Sequence, residues 1–289
     1  MSRLFDHIMI VDWSAANTPT TGKNSIWISL AQNGHVYETH NAPTRFCAMD
    51  FISKNLSLIL ERKETIFVGF DFAFGYPQSA ATQLFNGPKW HNVWAYLASQ
   101  ITDSPHNASN RFEVANKANQ KFKPSEGPFW GHPHHFCYEH LHPKKPVDAF
   151  THIPEKRTVE QCVKGAKSVW QLAYTGSVGS QTLLGIYHLE QLRHNDQFKS
   201  DIAIWPFETR FDSAIDKPII IGEIYPSMFD VPVKDGMVLD EAQVRHVANL
   251  FSNYDMQGTF IDMLGAPGMS QNALDVILSE EGWIVGAKP

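Results

Sequence analysis

The chain has 289 residues, 43% hydrophobic and 19% charged, which is enough apolar content for a sizeable core and excludes a disordered or collagen-like polymer. The formal net charge of −6 lacks the basic excess of a general nucleic-acid binder and favours a small or short substrate. Its three cysteines, Cys47, Cys137 and Cys162, are odd in number and far apart, forming neither a disulfide framework nor a CxxC zinc pattern, so a cytoplasmic setting is the expectation.

Residues 7–12, HIMIVD, are a short apolar run ending in Asp12 and read as a buried strand. The run is too short for a signal-peptide core, and no stretch nears the ~20 apolar residues of a membrane span. No membrane contact is therefore expected, and no protein partner is evident in the sequence. Residues 25–31 and 35–39 read as two further strands, joined across Gln32-Asn33-Gly34. Asn-Gly is a strong hairpin signal, so the first three strands form an antiparallel meander. Residues 44–61 carry Met49, Ile52, Leu56 and Ile59 at helical spacing, with Thr44 as the cap. A second apolar run, 66–71, ends in Asp71. Because it follows a helix, it lies parallel to the first strand through a crossover, at the same end as Asp12.

Residues 72–200 differ, being rich in Pro, Gly, His and aromatics, with helical patches near 90–101, 108–121, 157–173 and 180–194. They read as a mostly helical insertion covering the carboxyl edge of the sheet, not as an independent domain, which leaves 1–71 and 201–289 as the core. The strand pattern returns at 202–207 and 218–224, the latter carrying Glu223. A helix over 240–255 presents Val244, Val247, Phe251 and Tyr254 on one face, with Asp240 and Gln243 as a capping box. A last helix, 270–280, is capped by Ser270 and stopped by Gly282, before a short apolar piece at 283–285.

Asp12, Asp71 and Glu223 end three strands, and Asp275 lies in the last helix. The carboxyl edge of an open α/β sheet is where ligands bind. Carboxylates are hard ligands suited to Mg²⁺ or Mn²⁺, and two such ions about 4 Å apart can activate a water and stabilise a leaving oxygen. Singly, each acid also fits an ordinary strand-end or helix-surface carboxylate facing water. As a set they predict a shared site, because gathered like charges need a cation.

The segments VDWS at Asp12, VGFDFAFGYP at Asp71, GEIYPS at Glu223 and NALDVILSE at Asp275 resemble a bacterial and archaeal family described as predicted nucleases with a ribonuclease H-like fold. The order of strands and helices resembles that fold as well. The resemblance covers about half of the chain and implies a mixed sheet, an antiparallel three-strand meander plus parallel strands, flanked by helices. It further implies a metal-dependent phosphodiester hydrolase, with Asp12, Asp71 and Asp275 as metal ligands and catalytic acids. Glu223 would match the family's Glu-x-x-Pro strand end, as a ligand or an orienter of the attacking water. The implied substrate is a short nucleic acid, single-stranded, or a nucleotide-like small molecule. Two other readings stand beside it. One is a non-catalytic ligand-binding protein on the same fold. The other is an ATP-dependent phosphotransferase, against which the absence of a second copy of the meander counts.

Substrate contacts are expected from the insertion. Gly176-Ser177-Val178-Gly179-Ser180 precedes a helix whose amide groups could hold a phosphate, though it also fits a flexible turn. Lys167 and Gln171 would share a helix face at i,i+4 spacing and point at one anion. Arg111 could pair with phosphate, or with Glu113 beside it; Arg157 and Arg210 are the other arginines of interest. Tyr76, in the Gly-Tyr-Pro turn after Asp71, could stack on a base or pack under the insertion, where Phe72 and Phe74 are expected. Glu208 reads as a surface ion pair or a further acid of the site. His132, His134, His135, His140 and His142 with Cys137 match no zinc spacing and fit a polar aromatic loop, although two or three of them could join a site or one could act as a general acid. No GxSxG occurs, and no histidine is marked as a base for Ser14.

Overall fold

The computed structural model describes residues 3–123, 126–212, 214–233 and 235–289, and in it the apolar runs assemble into one six-stranded mixed sheet. The strands β1 (His7–Asp12), β2 (Ile26–Gln32) and β3 (His35–Ala42) form the antiparallel meander predicted from the Asn-Gly turn. Asn33 and Gly34 both take positive φ, 52° and 73°, as the twist-matching type I′ hairpin turn requires. Helix α1 (Arg45–Glu61) follows, with the Thr44 hydroxyl accepting the Cys47 amide at 3.1 Å and so satisfying one orphan donor of the helix start. The helix carries the chain back across the sheet, and β4 (Ile66–Phe70) pairs parallel to β1.

The insertion contributes α2 (Ala80–Leu84), α3 (Trp90–Gln100), α4 (Arg111–Lys121), α5 (Thr158–Cys162) and α6 (Gly179–Arg193). Two parallel strands, β5 (Ile202–Ile204) and β6 (Ile219–Glu223), complete the sheet in the order β3-β2-β1-β4-β6-β5. The chain ends with α7 (Leu239–Met256), α8 (Phe260–Leu264) and α9 (Gln271–Val276), the last running into a π-helical turn. Beyond it, Ile284 bridges to Glu223 in parallel. Among the described residues no helix is long and apolar enough to cross a membrane.

Side-chain alternation sorts the core into two layers. Met9, Val11, Val68, Phe70, Ile219 and Ile221 point toward α1 residues Ile52 and Leu56, in a layer that includes Phe72, Phe74, Trp94 and Leu183 of the insertion. Ile8, Ile10, Phe67, Ile220 and Ile224 point to the opposite layer, under Val244, Val247 and Phe251 of α7.

Several local expectations change. Only Thr158–Cys162 of the 157–173 patch is helical, because the chain turns to extended backbone at Val163, φ −93° and ψ 115°. The strand expected over 202–207 stops at Ile204. Pro206 has no amide to give a ladder, and the chain instead turns, the Arg210 amide donating to the Pro206 carbonyl at 2.8 Å. Helix α7 begins before Asp240, with Val238 at its cap position and no side-chain cap bond. Asp240 therefore lies inside the first turn, and its carboxylate is used elsewhere.

Candidate functional site

Strand register decides which carboxylates meet. Val11 pairs with Phe70, and Phe70 pairs with Glu223. These three share a row and hence a face of the sheet. Asp12 and Asp71 are the next residues on their strands, so they point together to the other face, the one covered by α7. Successive residues of a strand alternate faces, and one residue of offset separates Glu223 from the two aspartates.

The carboxyl groups of Asp12 and Asp71 lie close enough for each to act on the other's proton, and the Trp13 amide donates to Asp71 Oδ1 at 2.7 Å. Burial, then the charge of Asp71, raises the Asp12 carboxyl well above the ordinary aspartate range. Burial lifts Asp71 to about 6 against the lowering effect of its bonds from Asp12 and Trp13. The outside charge acting on both is another carboxylate, Asp240. The pair thus holds a proton at a pH where a lone surface aspartate is ionised.

Asp240 was read from sequence as a helix cap. In the fold, its Oδ2 accepts the Asn24 amide at 2.7 Å, which ties the start of α7 to the loop before β2. Asp12, Trp13, Ser14, Asn24, Ser25, Gln181 and Asp240 line a cavity of about 180 Å³. The signal available in sequence was an acid opening the long helix that follows β6. On the other side of the pair, Asp71 lines a second depression with Lys167, Val178 and Tyr225.

Glu223 lines the same depression as Asp71, with Arg157 and Glu160, but its carboxylate is taken up by an ion pair. Arg157 Nη2 donates to Glu223 Oε1 at 2.6 Å and Nη1 to Oε2 at 2.8 Å, and the Phe74 amide donates to Oε2 at 3.0 Å. The same guanidinium donates from Nε to Glu160 Oε1 at 2.8 Å and from Nη1 to the Glu281 carbonyl at 2.7 Å. Arg157 and Glu223 are buried. This bidentate bond neutralises Glu223 inside the protein and clamps β6 to the insertion and the carboxyl-terminal segment. Asp275 is exposed on α9, accepts Gln271 Nε2 at 2.9 Å, and lines a separate depression with Lys89, His91 and Arg210. Of the four acids, Asp12 and Asp71 lie together with Asp240 across the adjoining cavity, Glu223 lines the depression beside Asp71 in a pair with Arg157, and Asp275 lies apart on the exposed face of α9.

Arg111 is buried, yet among the described residues it bonds no carboxylate. Its Nε donates to Ser180 Oγ at 2.9 Å and Nη1 to Asn17 Oδ1 at 2.6 Å and Ser109 Oγ at 2.9 Å, while Glu113 accepts the Tyr138 hydroxyl at 3.1 Å. Burial, then repulsion by Arg45, lowers the Arg111 guanidinium to about 10. Ser180 in turn donates to the Leu172 carbonyl at 2.6 Å. Lys167 is exposed beside Asp71's depression, and its Cε would lie 3.5 Å from a Cβ built on Gly176. Lys167 and Gln171 do not share a helix face, since no helix forms there; Gln171 Nε2 turns back to the Ala173 carbonyl at 2.9 Å. Gly176 takes φ 79°, and the Ser177 amide closes the turn onto the Tyr174 carbonyl at 3.1 Å.

Tyr76 is buried against Phe85, Phe129 and Trp170, so it packs under the insertion, as do Phe72 and Phe74. Glu208 pairs with Arg193 Nη2 at 2.5 Å. The histidine tract disperses: His142 pairs with Glu126 at 2.8 Å, and His132 Nδ1 meets the Pro133 carbonyl at 2.9 Å. Among the described residues, no group of three or more His, Cys, Asp or Glu side chains is spaced to hold a metal ion. Compared with protein-family models, with curated proteins and with solved structures, the chain matches none.

Proposed function

We propose that the protein is a metal-dependent phosphodiester hydrolase on a ribonuclease H-like sheet, with Asp12 and Asp71 as its central carboxylates. The observation that carries this reading is the Asp12–Asp71 pair itself. The two carboxyls lie together at the carboxyl ends of adjacent parallel strands; burial raises both, the charge of Asp71 raises Asp12 further, and a third carboxylate, Asp240, acts on both. Such an arrangement is unfavourable at neutral pH unless a cation neutralises it.

The donor set fits Mg²⁺ or Mn²⁺ held through two carboxylates, with water and substrate oxygens completing the shell, which is the usual economy of Mg²⁺ sites. When bound there, the ion would supply charge for a developing oxyanion and a more acidic water. The protein's own residues do the remainder. The Trp13 amide fixes Asp71 Oδ1, so one oxygen of the pair is held in place. Asp240, anchored on Asn24, offers an acceptor on the far wall of the adjoining cavity for orienting a water. Lys167 puts a mobile cation at the rim on the Asp71 side, suited to draw in a phosphate.

The test is hydrolysis of bis(p-nitrophenyl) phosphate and of short oligonucleotides with Mg²⁺ or Mn²⁺. Asp12→Asn is expected to lower the metal-dependent rate by ~10²-fold or more. A rate that survives chelation, or is unchanged in Asp12→Asn, would overturn the reading.

A further inference from the structure

Charge is unevenly divided along this chain. Residues 72–200 hold thirteen Lys and Arg against nine Asp and Glu, whereas the rest holds eleven against twenty-one. A net positive insertion therefore sits on an acidic core, a distribution that attracts an anion to the insertion side.

That insertion also displays aromatic rings to solvent. Phe136 is 39% exposed and Tyr174 47%, and His134 and His135 are exposed beside them. The rings form two linked groups. His135, Phe136 and Tyr138 follow one another at centroid distances of 4.3 and 5.9 Å, and Phe136 meets Phe112 at 5.9 Å, under the Arg111 guanidinium at 4.6 Å. Tyr174 lies 6.0 Å from His134, and its hydroxyl donates to the His132 carbonyl at 2.6 Å. Tyr174 has φ 74°, a left-handed backbone that costs a bulky residue about 1–2 kcal/mol.

Buried contacts tie the strip to the segment that carries Asp12. Arg111, at its inner end, bonds Ser180 at the start of α6 and Asn17 in the loop after β1. The next residue of α6, Gln181, donates to the carbonyl of Trp13, adjacent to Asp12, at 2.5 Å.

We propose that Phe136, Tyr138 and Tyr174, with His134 and His135, form a base-stacking track that guides single-stranded nucleic acid to the Asp12–Asp71 pair. This rests on the hydrolase reading of that pair and assigns its substrate class. Every base has a π-face, so stacking on exposed rings tolerates any sequence. In a duplex those faces are already stacked on neighbouring bases, so the track selects single strands. The positive insertion supplies the backbone attraction that stacking alone lacks.

The experiment measures fluorescence anisotropy of a labelled twelve-nucleotide oligomer, as single strand and as duplex, in EDTA. The proteins are the wild type, the double variant Phe136→Ala/Tyr174→Gly and Asp12→Asn. Glycine suits the positive φ at 174, and both rings are surface-exposed, so an unchanged melting temperature certifies the fold of the double variant. Expected are a wild type that prefers single strand over duplex, a double variant weakened roughly 100-fold, about tenfold per ring, and an Asp12→Asn protein that binds like wild type. Equal binding by the double variant, equal binding of duplex, or no binding of single strand by the wild type overturns the track. Ring-dependent binding without cleavage once Mg²⁺ or Mn²⁺ is added leaves the track standing and sinks the hydrolase reading. Asp12-dependent hydrolysis of bis(p-nitrophenyl) phosphate without any binding of single strands does the reverse.

Discussion

Replacing Asp71 by asparagine should make the metal-free protein more stable at alkaline pH. The asparagine Oδ1 can keep accepting the Trp13 amide, held at 2.7 Å in the wild type, and its Nδ2 can donate to Asp12, so the variant imitates the protonated pair. Burial lifts Asp71 from 3.8 to about 6. Two units correspond to about 3 kcal/mol. Both aspartates keep partial contact with solvent, so about half of that, ~1–2 kcal/mol, is the expected penalty. The sign follows from linkage. A carboxyl whose folded pKa is raised contributes its stability below the unfolded value and loses it as pH rises through the folded one. The wild type should therefore weaken between about pH 4 and pH 7, a loss that Asp71→Asn escapes. Thermal melts in EDTA should show the variant about 2–6 °C above wild type near pH 8, with the gap closing near pH 4. Added Mg²⁺ should raise the wild type at pH 8 and move the variant less, since an ion that binds only the folded state stabilises it. A variant that melts below wild type by the same amount at both pH values would refute the account of a strained carboxyl pair.

Three further outcomes follow from the same geometry. Arg157→Met leaves Glu223 and Glu160 buried without their cation and should cost about 3–5 kcal/mol in urea denaturation. Gly185→Ala would set a Cβ within the Phe72 ring and should cost about 1–3 kcal/mol by the same assay. Asp275→Asn, on the exposed face of α9, should change stability by less than about 0.5 kcal/mol and leave Asp12-dependent hydrolysis unaltered; a large rate loss there would restore Asp275 to the site.

Much of the fold was legible one segment at a time. Asn33-Gly34 has few conformations open to it, and its hairpin formed where the dipeptide predicts. Thr44 capped the helix that follows it. Where a segment's pattern admitted two outcomes, the neighbours chose. Residues 163–173 carry helix-compatible spacing, yet the chain there bridges Gln171 to Trp130 and leaves the helix after Cys162. Asp240 suits a cap or a first-turn position, and the amide of Asn24 took it.

What the sequence determined by itself was the placing of Asp12 and Asp71 at the same end of adjacent strands. A strand, a helix of crossover length and a second strand leave little choice but parallel neighbours. Only the tertiary structure decided which other acids could reach them. Glu223 ends a strand as they do, but its register sets it one residue back, on the opposite face and in the grip of Arg157. Asp240 lies far along the chain, and the packing of α7 brings it across the cavity from Asp12. Register between distant strands and the docking of a helix are properties of pairs of segments. Neither is written in the periodicity of any single one, and a shift of one residue is enough to carry a carboxylate from one side of a sheet to the other.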